Sequence, residues 1–356
     1  MNTNKGYLYS IVLAAVLGGL LFGYDTAVIS GAEKGLQAYF LGAADFQYTD
    51  FIHGLTCSSA LIGCVIGALI SGWLANRLGR KLTLFVAGVL FFVSAIGSAQ
   101  PEFPFHMQST VTMTILNAFN HYRIIGGIGV GLASAICPMY IGEISPANKR
   151  GQLVSWNQFA IIFGQLVVYF VNFLILGSHE NPVIESIGNG ISRVLPGSDP
   201  WTITTGWRYM FASEAVIAAL FIILICLVPE SPRFLVMIGK DDSALKILAR
   251  INGMEKAREI LADIRSTIKV RTEKLFTYGW LVIFIGVMLS VFQQVVGINA
   301  VLYYAPRIFG DMGMTNPMFN TVMMGVVNIL FTLVAIFTVE RWGRRPLLIT
   351  GSLGMA

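Results

Sequence analysis

The chain has 356 residues, of which 55% are hydrophobic and only 12% charged, with a mean hydropathy of +0.70. Ordinary soluble domains carry roughly 25% charge, so too little polar surface exists here to coat a water-soluble globule. That excludes a cytosolic enzyme, a disordered chain and a disulfide scaffold. The net charge of +5 acquires a meaning only from where the charges sit.

A helix needs about 20 apolar residues to cross the hydrocarbon core. The apolar runs lack the strict alternation of barrel strands, so the spans are helical. Taken in order, they predict helices near 8–30, 52–75, 82–100, 115–141, 152–175, 207–228, 279–305 and 318–339. The first run holds Asp25 and has no small-residue cleavage site, so it reads as a retained span and not a signal peptide. The loop Gly177–Gly206 is long, rich in Gly, Pro and Ser, and unassigned. Pro229–Lys274 is the longest polar stretch. Within it Leu245, Leu248, Ile251, Ile260, Leu261, Ile264 and Ile268 fall at helical spacing between charges, as short amphipathic helices lying under the membrane would require. A ninth apolar segment starts at Pro346. The organisation expected is therefore a six-helix bundle over 1–228, a cytoplasmic helical linker over 229–274 and a partial second bundle over 275–356.

Orientation follows from the basic residues. Nineteen of the 24 lie in one set of loops: Lys5; Arg77, Arg80 and Lys81; Lys149 and Arg150; ten between Arg233 and Lys274; Arg341, Arg344 and Arg345. The opposite loops are assigned only Lys34, Arg193 and Arg307. This places the N-terminus of a multi-pass membrane protein in the cytoplasm. The positive charge is then a topology signal, and no nucleic-acid partner is expected.

The four cysteines, Cys57, Cys64, Cys137 and Cys226, fall inside spans without CxxC spacing and read as free thiols. His53, His106, His121 and His179 show no metal-ligand spacing, so no metal site is expected.

An internal repeat is present. Asn76-Arg77-Leu-Gly79-Arg80-Lys81 follows the second span, and Glu340-Arg341-Trp-Gly343-Arg344-Arg345 follows the eighth. Repeats on this scale in a membrane chain point to a transporter built from related halves. A second half of equal size would hold six spans, of which this sequence contains two and part of a third, so it reads as cut short.

Three constellations carry chemistry. Asp25 and Arg123 are ionisable groups within spans, which are costly and usually functional. Counting from the basic ends of their helices puts Asp25 at roughly 26 Å and Arg123 at roughly 28 Å, so the two can pair. Separating them would change the proton affinity of the acid, giving a switch; two interfacial caps at helix ends are the plainer alternative. Glu214 lies at a similar level and can tune the pair, or be an ordinary interfacial acid. The amides Gln158, Gln293, Gln294, Asn299 and Asn328 lie within spans and offer the donors and acceptors that a neutral polar solute needs, or the polar glue common between membrane helices. The charges Arg77, Arg80, Glu143, Arg150, Glu230, Arg233, Arg341 and Arg344 fall at successive basic loops. They form either solvated faces or a salt-bridge network that closes one side of the membrane. Phe22 can offer an apolar face to a bound solute or simply pack.

The motifs Gly18-Gly-Leu-Leu-Phe22-Gly-Tyr-Asp25, the two Arg-x-Gly-Arg loops, Tyr122-Arg123-Ile-Ile-Gly-Gly, Tyr140-Ile-Gly-Glu143 with Lys149-Arg150-Gly, Pro229-Glu230-Ser-Pro-Arg233 and Gln293-Gln294-Val-Val-Gly-Ile-Asn299 with Tyr303-Tyr304 resemble the sugar porter branch of the major facilitator superfamily. The resemblance covers nearly the whole chain. It implies an all-α membrane protein of the major facilitator fold, complete in its N-terminal bundle and truncated in its C-terminal one. It implies proton-coupled symport of a small neutral sugar, D-xylose foremost, by a monomer in the bilayer, with the proton as coupling ion, no cofactor and no enzyme activity. By the resemblance, Asp25 carries the coupling proton with Arg123 as its partner. Gln158, Gln293, Gln294 and Asn299 bind sugar, with Tyr303, Asn328 and Phe22 as neighbours. The family's tenth and eleventh helices have no counterpart, so this stretch alone is not expected to transport normally. An uncoupled facilitator and a non-transporting sugar sensor are the alternatives.

Overall fold

The computed structural model describes residues 5–43, 45–103, 111–177, 201–269 and 279–355. Six long helices come first: α1 (Lys5–Leu41), α2 (Asp50–Leu78), α3 (Arg80–Ala99), α4 (Met113–Ile144), α5 (Arg150–Gly177) and α6 (Trp207–Leu227). A π turn at Thr202–Gly206 leads into α6. Eight segments among the described residues are long and apolar enough to cross a membrane. His106, His179 and Arg193 lie outside the described residues, as does most of the loop before α6.

The first span is longer than the sequence suggests. It was expected to end near residue 30, with Lys34 in the loop beyond, but it runs unbroken to Leu41. Glu33 is buried against partners from two other segments, so its charge does not end the helix. Lys34 is exposed on the same helix.

Close helix contacts use glycine. A Cβ on Gly63 or Gly67 of α2 would overlap the Ile124 or Ile128 carbonyl of α4, and one on Gly127 or Gly131 would overlap the Ala60 or Cys64 carbonyl in return. The spacing of four residues on both helices makes a small-residue stripe. Such stripes let backbones approach where no hydrophobic force operates between helices. Gly23 of α1 and Gly164 of α5 meet Ile161 and Leu20 in the same way.

Two apolar clusters stack along α1. One takes its residues Leu8 to Leu21 together with Phe91, Ile136, Tyr140 and Phe221. The other takes Tyr24 to Phe40 together with Phe119, Tyr169, Trp207 and Phe211. Asp25 therefore lies where the clusters meet.

At one end of the bundle gather the start of α1, the turns α2–α3 and α4–α5, and the end of α6. This is the basic end. Gly79 makes the α2–α3 turn at φ +91°, a region open mainly to glycine. Beyond α6, α7 (Pro232–Met237), α8 (Asp241–Asn252) and α9 (Met254–Lys269) close on their own small core of Leu235, Ala244, Leu248, Ala257 and Leu261. Helices thus form where the apolar spacing of the linker puts them. The Arg250 guanidinium stacks 3.9 Å above the Tyr7 ring, tying them to α1.

The seventh span, expected as one helix over 279–305, is broken. α10 (Trp280–Val295) stops, Gly297 takes the left-handed conformation at φ 77°, and α11 (Ile298–Asp311) restarts. α11 bends again at Tyr304, two residues before Pro306. Proline has no N–H for the Leu302 carbonyl, and the Tyr169 hydroxyl of α5 donates to that oxygen instead at 3.5 Å. α12 (Pro317–Trp342) packs on α5, and α13 (Arg344–Met355) follows. α10 contributes no buried residue.

Candidate functional site

The two ionisable groups picked from the apolar runs meet. Arg123 Nη1 donates to Asp25 Oδ1, and Nη2 lies 3.3 Å from the Asp25 carbonyl oxygen. Each residue is 1% exposed. Asp25 is at the middle of α1 and Arg123 is well inside α4, each roughly 30 Å from the basic end. Because both are far from any helix end, a capping role is excluded. Arg123 also stacks on Phe211 of α6, 5.2 Å from the ring centroid. One turn further along α6, Glu214 is fully buried, and neither of its carboxylate oxygens has a hydrogen-bond partner. It stands within electrostatic reach of both Asp25 and Arg123. Two buried acids thus lie near one guanidinium, which is paired with Asp25.

Tyr303 of α11 is buried within electrostatic reach of the same pair. The second part of the chain therefore approaches the ion pair of the first. Close by, the Asn328 amide of α12 donates to Gln165 Oε1 of α5 at 3.4 Å. Gln165 is buried and was not singled out in the sequence. Gln158, which was, lies seven residues earlier on the same face of α5 and is exposed, about 10 Å nearer the basic end. The two are hard to separate by sequence because 3.6-residue periodicity puts both on one stripe; only the position of α12 distinguishes them. Across the break of the seventh span, the Asn299 amide donates to Gln294 Oε1 at 2.8 Å. Gln293 is exposed beside it. Phe22 is partly buried against the cluster at the basic end of α1.

The charges of the basic end separate into two groups. Arg80 is buried and makes a two-pronged pair with Glu143, Nε to Oε2 at 2.9 Å and Nη2 to Oε1 at 2.8 Å, while Nη1 donates to the Ala75 carbonyl at 3.1 Å. The Ser231 hydroxyl donates to Glu143 as well. Glu230 accepts from the backbone N–H groups of Arg80 at 3.0 Å, Lys81 at 3.1 Å and Ser231 at 2.8 Å. A carboxylate there satisfies the orphan donors that begin α3. The Tyr140 hydroxyl donates to the Pro229 carbonyl at 2.5 Å. This network joins α3, α4 and the segment between α6 and α7, all within the first six spans and the start of the linker. Arg77 instead stacks on Trp73 at 4.7 Å. Arg150 and Arg233 are exposed and, with Glu143, Lys256, Glu259 and Asp263, line a cavity of about 890 Å³ between the α4–α5 turn and α8–α9. The side chains of Arg341 and Arg344 lie outside the described residues.

At the opposite end, Arg208 of α6 grips Glu102, Nη2 to Oε1 at 2.6 Å and Nη1 to Oε2 at 2.8 Å, and the Tyr39 hydroxyl of α1 donates to Glu102 at 2.7 Å. Burial alone would raise the Glu102 carboxyl, but the hydrogen bonds and charge of Arg208 outweigh it and hold the group below its usual value.

The profile of a family described as "Sugar (and other) transporter" matches residues 11–356. The chain belongs to that family. Its fold is the major facilitator fold: a solved structure of the Escherichia coli xylose transporter, partially occluded and inward-open, superposes with a TM-score of 0.84 at 46% identity, covering 98% of this chain and 76% of that one. The D-xylose-proton symporter of Escherichia coli K12 is 47% identical over all of this chain and 72% of its own length. The arabinose-proton symporter of Bacillus subtilis is 39% identical over 99% of this chain and 70% of its own. The glucose facilitated diffusion protein of Zymomonas mobilis is 36% identical over all of this chain and 72% of its own. The family and these relatives are transporters, and this sugar transporter chain is a membrane protein.

Proposed function

We propose that the protein is a proton-coupled symporter of a neutral sugar, D-xylose in the first instance, working by alternating access across the inner membrane with its basic end and N-terminus in the cytoplasm. The observation that carries the reading is the buried Asp25–Arg123 pair with Glu214 beside it. A carrier that only lets sugar diffuse has no use for buried titratable acids at mid-depth.

Asp25 is the proton carrier. With the proton absent, its charge is held by Arg123 and α1 stays bound to α4. Protonation removes the attraction, and the helices are free to reorient around the sugar. Glu214 shares the same guanidinium and supplies an alternative partner when Asp25 is neutral. Tyr303 brings the sugar side to this switch, because it reaches the pair from α11. The sugar contacts are the amides Gln165 and Asn328 between α5 and α12, the amides Gln294 and Asn299 at the break with Gln293 next to them, Tyr303, and Phe22 against the ring face. Gln158 lines the approach on the α5 face. The Arg80–Glu143–Glu230 network, with Arg77, Arg150, Arg233, Arg341 and Arg344 around it, holds the cytoplasmic side of the N-terminal helices as one body when that side closes. Positive-inside asymmetry supports the orientation.

Reconstituted protein with Asp25→Asn tests the proposal. Sugar counterflow persists, because it needs no net proton movement, while uptake driven by a proton gradient is lost. Gradient-driven accumulation by the variant would refute the role of Asp25. An uncoupled facilitator is the second reading, supported by the 36% identity to a facilitated diffusion protein; it predicts that wild-type uptake is equally insensitive to the gradient.

A further inference from the structure

A further buried charge cluster lies outside the switch and the amides, at the end opposite the basic loops. Glu33 of α1 is 2% exposed at its side chain, and its Oε1 meets partners from two directions at once: it accepts from His53 Nε2 of α2 at 2.8 Å and is ion-paired with Arg307 Nη2 of α11 at 3.0 Å. Arg307 also donates to Gln37 of α1, whose amide nitrogen in turn donates to Asp50 at the start of α2 at 3.3 Å. The other ring nitrogen of His53 is 2.9 Å from the Tyr48 hydroxyl, and the Cys57 thiol lies 3.7 Å from Nε2. The Tyr304 ring covers His53 edge-on at 6.4 Å.

We propose that Glu33, His53 and Arg307 form the latch that closes this end of the central route by tying α11 to α1 and α2. The proposal rests on the alternating-access reading above. Three observations converge on it. First, the acid is buried within an apolar helix, where it is costly unless its partners are held, and one of those partners comes from the other part of the chain. Second, α11 is built to move as a short rod. Gly297 breaks the chain at one end with φ 77°, Gly313 turns it at the other with φ 76°, and the helix bends at Tyr304 between them. Hinges of this kind absorb the backbone change of a moving segment. Third, α11 covers what the latch would expose. When Arg307 leaves Glu33, Tyr304 leaves His53, and water reaches Glu33, His53 and the buried Cys57 beneath. Arg307 is partly exposed, so it can release into water without being stranded. The pair is thus strong enough to bias a two-state equilibrium and weak enough to break in each cycle.

The native Cys57 is the reporter. In a variant with Cys64, Cys137 and Cys226 replaced by serine, Cys57 is alkylated in vesicles by a membrane-impermeant maleimide applied from either face. Slow labelling is expected with the latch intact. Glu33→Gln and Arg307→Gln each accelerate it at least fivefold from the face opposite the basic loops, and the double variant labels no faster than the quicker single one, because both break the same bond. His53→Phe, which keeps the ring but not its hydrogen bonds, also accelerates it. If Arg307→Gln does not yield monodisperse protein, Arg307→Lys, which keeps the charge on a single point, is the substitute and gives an intermediate rate. Labelling within twofold of the parent in Glu33→Gln, or rates that multiply in the double variant, overturns the latch. Xylose uptake is measured on the same vesicles. A parent that takes up no xylose refutes the transport reading, and the labelling rates then still decide whether the cluster holds this end shut.

Discussion

Arg123 reaches from α4 to the Asp25 carboxylate on α1, with both residues withdrawn from solvent and set at matching depth in their helices. Glu214 completes the set without a hydrogen bond of its own. Removing Arg123 and removing Glu214 therefore have different energetic consequences. Arg123→Gln leaves the buried Asp25 carboxylate with no cation, and losing one partner of a buried pair costs about 3–5 kcal/mol. The melting temperature in detergent is expected to fall by roughly 10 °C. Glu214→Gln removes an acid that has no hydrogen-bond partner, so its melting temperature stays within about 2 °C of the parent. Equal losses in the two variants would contradict this assignment.

Arg80 fixes three segments with one planar group. Its two-pronged pair with Glu143 needs the fork of a guanidinium. Arg80→Lys is therefore expected to destabilise the protein almost as much as Arg80→Ala, with a fall in melting temperature of at least 5 °C in each. A lysine variant that melts with the parent would show that charge alone suffices there.

The sugar site is tested by comparing two glutamines on one helix face. Gln165→Ala is expected to weaken xylose binding about tenfold, the value of one or two hydrogen bonds to a neutral ligand. Gln158→Ala is expected to change it less than threefold. Binding measured calorimetrically on purified protein decides between them, and the reverse order would move the site toward the basic end.

Glu102 gives a pH dependence with a defined sign. Its native carboxyl is held below the ordinary value, despite burial, by Arg208 with help from Tyr39. A group depressed in the native state contributes stability that is complete above its unfolded value, about 4.3, and is lost as pH falls through the lower native one. Melting temperatures taken from pH 6 down to pH 3 should therefore drop more steeply for the parent than for Glu102→Gln. The two curves should converge at the acid end, and a constant gap between them would rule the contribution out.

Glycine packing predicts a contrast between two positions on the same helix. Gly63→Leu drives a side chain into the α4 backbone, whereas Gly72 has open space around it. Gly63→Leu should lose most of the monodisperse peak on size exclusion, and Gly72→Leu should keep it.

Much of this arrangement is readable from the sequence for a physical reason. Asp25 and Arg123 stand out because charge in an apolar run is costly, and helical rise alone puts them level. The spans and the amphipathic linker follow from period and composition. What sequence reasoning misses depends on partners distant in the chain. Lys34 reads as a loop charge, so α1 is taken to end too soon, and the buried partners of its neighbour Glu33, His53 and Arg307, come from distant helices. Gln165 and Gln158 are equivalent by period until α12 supplies Asn328. The seventh span reads as continuous because Gly297 lies in an apolar run, and a single glycine there is as compatible with a helix as with a break.

The most direct test of the central claim is the pH of a lightly buffered suspension of vesicles holding the reconstituted protein, recorded as D-xylose is added. Coupled symport predicts prompt alkalinisation of the medium with the parent, abolished by a protonophore and absent with Asp25→Asn. Xylose entry into the parent vesicles without any change in external pH would contradict it.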